Sequence, residues 1–313
     1  MKKRPLGNTG LEVSVLGFGC APLGDVYGGI TEREGAAALH AALDAGITLV
    51  DVAPYYGLGL AETRLGRALE GRRAEVVLAS KCCRHKIDGF DFSAARVHSD
   101  IDESLRRLKT DRLDLFQLHD VEFGQRHQLL EETLPAMLEV KKSGKTRFIG
   151  ITGLPVHMLK DLACAFPIDT LLSYCHYNLM VDDLDVVLAP LVKTQGLGLL
   201  NASPLHMGIL APDGPQPWHP ASTEIKRVGE EVAALCLARG FSVADVALRF
   251  ALDNDSVAST ICGMKSPKEV AQNISAIEKA PDPQLLKEIS TVVAPVKNLS
   301  WHEGLAENAP LPS

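Results

Sequence analysis

Eight short apolar runs punctuate the chain, at residues 13–19, 47–51, 76–81, 113–119, 148–152, 170–174, 197–203 and 259–263. Each is nearly continuous in apolar residues, the pattern of strands covered on both faces by helices; a sheet with one wet face would alternate. Helical patterns recur between the runs. Val97, Ile101, Leu105 and Leu108 form one apolar stripe, and Leu134, Met137 and Leu138 another, with Lys141 beyond. Thr31 with Glu34 three residues later reads as a capping box, Gly46 as the glycine that follows a helix over 31–45, and Ser93 as the N-cap of a helix over 94–108. Eight strand–helix units predict an α/β fold closed as a (β/α)8, or TIM, barrel. A doubly wound sheet would show G-x-G-x-x-G after its first strand. Here the run Gly17-Phe18-Gly19-Cys20-Ala21-Pro22-Leu23-Gly24 puts a proline where that helix would start.

Two segments lie outside the alternation. Residues 4–14, centred on Gly7-Asn8-Thr9-Gly10, read as a β-hairpin ahead of the barrel. Residues 211–220 are rich in proline and glycine and follow the seventh strand, so they should overhang the C-terminal face as a lid or substrate loop. No break in composition divides the chain, and residues 1–313 read as one barrel domain.

Composition narrows the partners. A formal net charge of −7 leaves no electrostatic footprint for nucleic acid or an anionic membrane. The cluster Lys2-Lys3-Arg4 reads as a solvated N-terminus. No run reaches the roughly 18–20 apolar residues of a membrane span, and the first residues lack the apolar core of a signal peptide. Cys20, Cys82, Cys83, Cys164, Cys175, Cys236 and Cys262 are odd in number, lie mostly in apolar runs and include no C-x-x-C pair. That pattern suits a reducing compartment, so a cytoplasmic protein without a metal site is expected, as a monomer or weak homodimer.

In a barrel of this kind the active site lies where the strands end. The polar residues expected there are Asp51, Lys81, His119, Thr152 and Ser203, with Tyr56 just beyond the second strand. A tyrosine titrates near 10, too high for a proton shuttle near neutrality. An adjacent ammonium should lower that value, a carboxylate should hold the ammonium in place, and a histidine can orient the substrate oxygen. Taken singly, the Lys–Asp pair reads as a structural ion pair, the tyrosine as packing and the histidine as a core residue. Together they suit reversible proton transfer to a carbonyl oxygen, which needs a hydride partner.

Four segments carry these residues: Leu49-Val50-Asp51-Val52-Ala53-Pro54-Tyr55-Tyr56-Gly57, Ala79-Ser80-Lys81, Leu115-Phe116-Gln117-Leu118-His119 and Ile149-Gly150-Ile151-Thr152-Gly153. With the N-terminal hairpin they resemble the aldo-keto reductases over essentially the whole chain. The resemblance implies that Asp51, Tyr56, Lys81 and His119 are a catalytic tetrad with Tyr56 as acid or base. It also implies a nicotinamide dinucleotide lying across the rim. Gly19, Cys20, Ala21 and Asp51 would border it, Thr152, Gly153 and Tyr174 would face the nicotinamide amide, and Ser203, Pro204, Leu205, Met207 and Gly208 would cover the pyrophosphate. Gly263, Met264, Lys265, Ser266, Glu269, Gln272 and Asn273 would hold the adenosine. The family commonly has Ser-Asn at positions 152–153 and glutamine near position 174, where this chain departs. NADP-dependent members generally carry arginine at the position of Glu269; a carboxylate repels a 2′-phosphate and accepts from a free ribose hydroxyl, which favours NAD.

Loop segments such as His119-Asp120-Val121-Glu122-Phe123-Gly124 and Trp218-His219-Pro220 are similar to those of family members that oxidise free aldoses, L-galactose among them, at C1 to the lactone. Asp120, Phe123 and Trp218, with Tyr56 and His119, are then expected to contact the sugar. The competing expectations are oxidation of L-fucose or D-arabinose, general aldehyde reduction, or a non-catalytic nucleotide-binding subunit. A metal-dependent hydrolase lacks the clustered ligands it would need.

Overall fold

The computed structural model describes residues 1–279 and 282–309. Eight parallel strands close into a barrel: β1 (Leu16–Gly19), β2 (Leu49–Asp51), β3 (Val77–Cys82), β4 (Leu113–Leu118), β5 (Thr146–Gly153), β6 (Thr170–Tyr174), β7 (Gly198–Ala202) and β8 (Ser259–Gly263), with β8 pairing back onto β1. Helices cover the outside, among them α1 (Glu32–Asp44), α2 (Leu60–Ala68) and α3 (Ala94–Leu108). Among the described residues no helix is long and apolar enough to cross a membrane.

The local signals operate as expected. Thr31 Oγ1 accepts from the Glu34 N–H at 3.2 Å while Glu34 Oε2 accepts from the Thr31 N–H at 2.8 Å, closing the capping box of α1. Gly46 takes a φ of +85° just past that helix. Ser93 Oγ accepts from the Arg96 N–H at the start of α3.

The first strand departs from its expected extent. Residues 13–19 do not form one strand. Glu12–Ser14 pairs antiparallel with Lys3–Pro5, and only Leu16–Gly19 enters the barrel. The break lies at Ser14, whose N–H donates to Thr48 Oγ1 at 3.0 Å and whose Oγ donates to the Leu16 carbonyl at 2.6 Å, turning the chain between two sheets. A continuous apolar run carries no mark of that turn. The hairpin plugs the N-terminal end of the barrel, where Leu6, Leu11 and Val13 join Leu49, Ala79, Leu115, Leu172 and Leu200 in one interior cluster. Gly7 makes the plug fit. Its φ is +54°, and a Cβ there would lie 2.4 Å from the backbone of Gly198. Gly7→Ala is expected to cost about 1–3 kcal/mol by overpacking, and thermal unfolding should show a midpoint lower by several degrees.

Side-chain alternation then aims the site. Leu49, Ala79 and Leu115 face the interior, so the residues two positions on, Asp51, Lys81 and Gln117, face the same way one layer higher. His119 follows two further on. Val50, Leu78 and Phe116 point outward into the helix layer.

Candidate active site

At the C-terminal rim the interior column turns from apolar to charged. Lys81 is buried, and its Nζ donates to Asp51 Oδ1 at 2.5 Å, to the Val52 carbonyl at 3.0 Å and to Tyr56 Oη at 3.4 Å. The second oxygen of Asp51 accepts from Gln117 Nε2 at 3.0 Å. The ammonium therefore has three acceptors and the carboxylate two donors, which fixes Lys81 beneath the phenol. His119 stands edge-on to Tyr56, ring centres 6.1 Å apart, and its Nδ1 is buried without a hydrogen-bond partner among the described residues.

The electrostatics differ from the simple expectation for Tyr56. Burial pushes the phenol up to about 12, and the pull of Lys81 only partly opposes it, because Asp51 and Asp120 push the other way. The ammonium is already balanced by a carboxylate at contact, so little net positive field reaches the phenol. Lys81 itself is raised by Asp51 and Tyr56 against the desolvation that opposes its charge, and it stays charged. His119 is held well below the usual histidine range by burial first and then by Lys81, Arg84 and His85, so the imidazole is neutral at neutral pH. The arrangement offers one partly buried protonated phenol, one fixed cation and one neutral imidazole around a single point.

Of the residues expected to meet a sugar, Asp120 and Phe123 lie together: Asp120 is ion-paired with Arg84, and the Arg84 guanidinium lies 5.5 Å from the Phe123 ring centre. Trp218, half exposed in the 211–220 loop, reaches Tyr27 of the loop after β1, ring centres 6.1 Å apart. The lid thus lies across the rim. The segment after the last helix also comes to the site: Leu305 N–H donates to the Glu122 carbonyl at 2.9 Å and Asn308 Nδ2 donates to the same oxygen at 2.8 Å. This brings Glu303 toward Arg84 and Asp120, and burial raises its carboxyl above the usual range.

The residues expected to border a dinucleotide lie around the rim between Tyr56 and β8. Gly19 and Cys20 sit beside Asp51, with the Cys20 N–H donating to the Asp51 carbonyl at 2.9 Å, and Ala21 opens a short turn over the rim. Ser203, Met207 and Gly208, with His206, have left-handed backbone and coil the loop over Ser203–Gly208, Pro204 and Leu205 included, just beyond the end of β7. At the far end a cavity of about 240 Å³ is lined by Tyr27, Gly28, Gly29, Lys265 and Ser266. Ser266 Oγ caps the helix Pro267–Glu278 by accepting from the Glu269 N–H, and Glu269 Oε2 accepts from the Lys265 N–H at 2.9 Å. Gly263 lies against Pro22, and Asn273 Nδ2 faces Cys262 Sγ at 3.8 Å, whereas Met264 turns into the core; Gln272 is exposed.

At the end of β5, Thr152 Oγ1 accepts from the Asp120 N–H at 3.1 Å, which leaves its own hydrogen free to donate. Gly153 brings no side chain, and Tyr174 donates its hydroxyl to Glu122 Oε1 at 3.0 Å. The residues present fit a nicotinamide dinucleotide, Thr152 keeping a hydroxyl hydrogen that could donate to it. Three residues at the site had no assigned part from sequence: Gln117, Arg84 and Glu303. Gln117 was findable, as a polar residue at an inward strand position two before His119. Arg84 opens a strand of three residues and Glu303 lies in a loop, both too short of any periodicity to signal direction. Among the described residues no group of His, Cys, Asp and Glu could hold a metal ion.

Comparison with known proteins agrees with this geometry. Residues 15–294 match the model of the Aldo/keto reductase family. The chain is 43% identical to L-galactose dehydrogenase of Arabidopsis thaliana, over 97% of this chain and 98% of that protein. It is 30% identical to D-threo-aldose 1-dehydrogenase of a Pseudomonas species, over 84% of this chain and 89% of the relative. A holo-form aldo-keto reductase of Bacillus halodurans superimposes with a TM-score of 0.77 at 29% identity, covering 97% of this chain and 98% of that structure.

Proposed function

Since the chain belongs to the aldo/keto reductase family, we propose that it is an NAD-dependent aldose 1-dehydrogenase whose preferred substrate is L-galactose, oxidised at C1 to L-galactono-1,4-lactone. The observation that carries this reading is Lys81 Nζ held between Asp51 and Tyr56 Oη, with neutral His119 edge-on to the phenol ring. Likeness to an L-galactose dehydrogenase over nearly the full length supports the choice of sugar. A cytoplasmic enzyme acting as one barrel domain belongs to the same reading.

In this reading the catalytic residues are Asp51, Tyr56, Lys81 and His119. His119 donates a hydrogen bond to the C1 oxygen and sets its distance from Tyr56. The C1 hydroxyl passes its proton to Tyr56 Oη as the C1–H bond breaks with its electron pair and the C=O bond forms. An oxidised nicotinamide, when bound, would supply the hydride acceptor and a positive charge that favours the phenolate. Lys81 donates to the phenolate oxygen while Tyr56 is deprotonated, and Asp51, itself fixed by Gln117, holds Lys81 there. Asp120, Phe123 and Trp218 contact the sugar beyond C1. Thr152 donates to the carboxamide. Glu269 accepts from the Lys265 N–H and sets a carboxylate where the adenosine would lie, repelling a 2′-phosphate, so NAD is preferred to NADP.

The test is cofactor reduction followed by absorbance with L-galactose, L-fucose, D-arabinose and L-gulose, each with NAD and with NADP. The highest kcat/KM is expected for L-galactose with NAD. A clear preference for NADP overturns the argument from Glu269. A higher value for D-arabinose or L-fucose moves the substrate to the second reading, which the likeness to D-threo-aldose 1-dehydrogenase favours. No turnover of any aldose overturns the oxidation itself.

A further inference from the structure

One residue beside the rim, Arg84, has no part in the chemistry above. Arg84 sits in the short hairpin that follows β3, and its guanidinium pairs with Asp120, the residue next to His119. Both side chains are largely buried. The guanidinium carbon lies 4.1 Å from the ring centre of Tyr55 and 5.1 Å from that of Phe90, and its Nε has no partner among the described residues. Withdrawing a cation from water into an aromatic cage carries a desolvation cost, which a paired carboxylate offsets.

Asp120 is held as deliberately. Its φ is +54°, a left-handed conformation uncommon for a residue with a Cβ, and its N–H donates to Thr152 Oγ1. This backbone places Asp120 Oδ2 at 3.6 Å from His119 Nε2. A free carboxylate there would compete with the substrate oxygen for the one imidazole N–H able to reach it.

We propose that Arg84 is a positioning residue for His119: by binding Asp120 it withdraws the carboxylate from the imidazole and leaves Nε2–H free for the C1 oxygen of the sugar. This role rests on the catalytic reading of His119 given above. The groups that face the imidazole account for its state. Lys81 approaches from β3, Arg84 and His85 from the hairpin, Tyr55 and Tyr56 from the loop after β2, and Asp120 from its own loop. Glu303 of the C-terminal segment faces Arg84 and Asp120. Asp120 is the anion next to the ring, and Arg84 is the cation that contacts it. Without the guanidinium, Asp120 would bind His119 as an imidazolium, because an opposite charge at this range favours the charged form.

The test follows the His119 ring by NMR of histidine-labelled protein across roughly pH 6 to 8, a readout that needs no substrate. In the native protein the ring stays neutral throughout. In Arg84→Gln it titrates within that window, and in Arg84→Lys, which keeps a cation on Asp120, it does not. Asp120→Asn and the double variant Arg84→Gln/Asp120→Asn keep a neutral ring, since no carboxylate remains to capture it. The pH profile of kcat/KM for the best aldose should gain an acid limb in Arg84→Gln, falling about tenfold per unit below the new pKa. A neutral His119 in folded Arg84→Gln, or a titrating one in either variant carrying Asp120→Asn, overturns the assignment. Loss of aldose turnover in the native protein would sink the oxidation reading while leaving the NMR result standing.

Discussion

Tyr56→Phe lowers kcat for aldose oxidation by about a hundred- to ten-thousandfold, the usual contribution of a positioned general acid or base, and leaves cofactor affinity unchanged. The ring is partly buried against the core and packs edge-on against His119, so removing one oxygen changes little of the packing. What is lost is the atom facing Lys81 Nζ at 3.4 Å. Kinetics and NAD titration by fluorescence check both halves, and retained turnover would remove Tyr56 from its role. The native enzyme carries a pH signature of the same residue. Burial raises the phenol to about 12, so at neutral pH the base form needed for oxidation is scarce. Oxidation should therefore accelerate with pH, by up to about tenfold per unit over roughly pH 6 to 9. Carbonyl reduction needs the protonated phenol and should not share that rise. A flat oxidation profile over this range would mean that another group accepts the proton.

Lys81→Met has a double effect: turnover falls at least as far as in Tyr56→Phe, and stability falls with it. Asp51 is buried, and the ammonium at 2.5 Å is its only cationic partner among the described residues, the other donor being the neutral amide of Gln117. Breaking a buried ion pair from one side typically costs about 3–5 kcal/mol, because the remaining charge is left without compensation. Replacing both partners removes that charge. The double variant Asp51→Asn/Lys81→Met should recover most of the stability in denaturant unfolding and none of the activity. If Lys81→Met is as stable as the native protein, the pair is not the tight, desolvated contact described here. If it keeps native turnover, Lys81 does not act on Tyr56.

Much of this site could be read in advance from particular residues. Asp51, Lys81 and His119 each leave an apolar run at its C-terminal end, and strand alternation turns all three inward without help from the rest of the chain. Gln117 obeys the same parity. The first strand was less legible, because Val13, Val15, Leu16 and Phe18 are all buried whichever sheet they serve, and the side-chain bonds of Ser14 divide the run. The depression expected of the Tyr56 phenol was overtaken by desolvation, which depends on everything packed around the ring and on none of its sequence neighbours in particular.

Amino-acid order by itself determined the eight strand–helix units, the capped helix starts and the direction in which the rim residues point, because these follow from periods of two and 3.6 residues and from hydrogen bonds spanning three or four positions. Only the closed barrel decided which of those residues meet. Lys81 is thirty positions from Asp51 and twenty-five from Tyr56, and Arg84 is thirty-six from Asp120. Such contacts, and the water they exclude, exist only once strands distant in the chain pair side by side. The strength of each charge at the rim is therefore a property of the assembled fold.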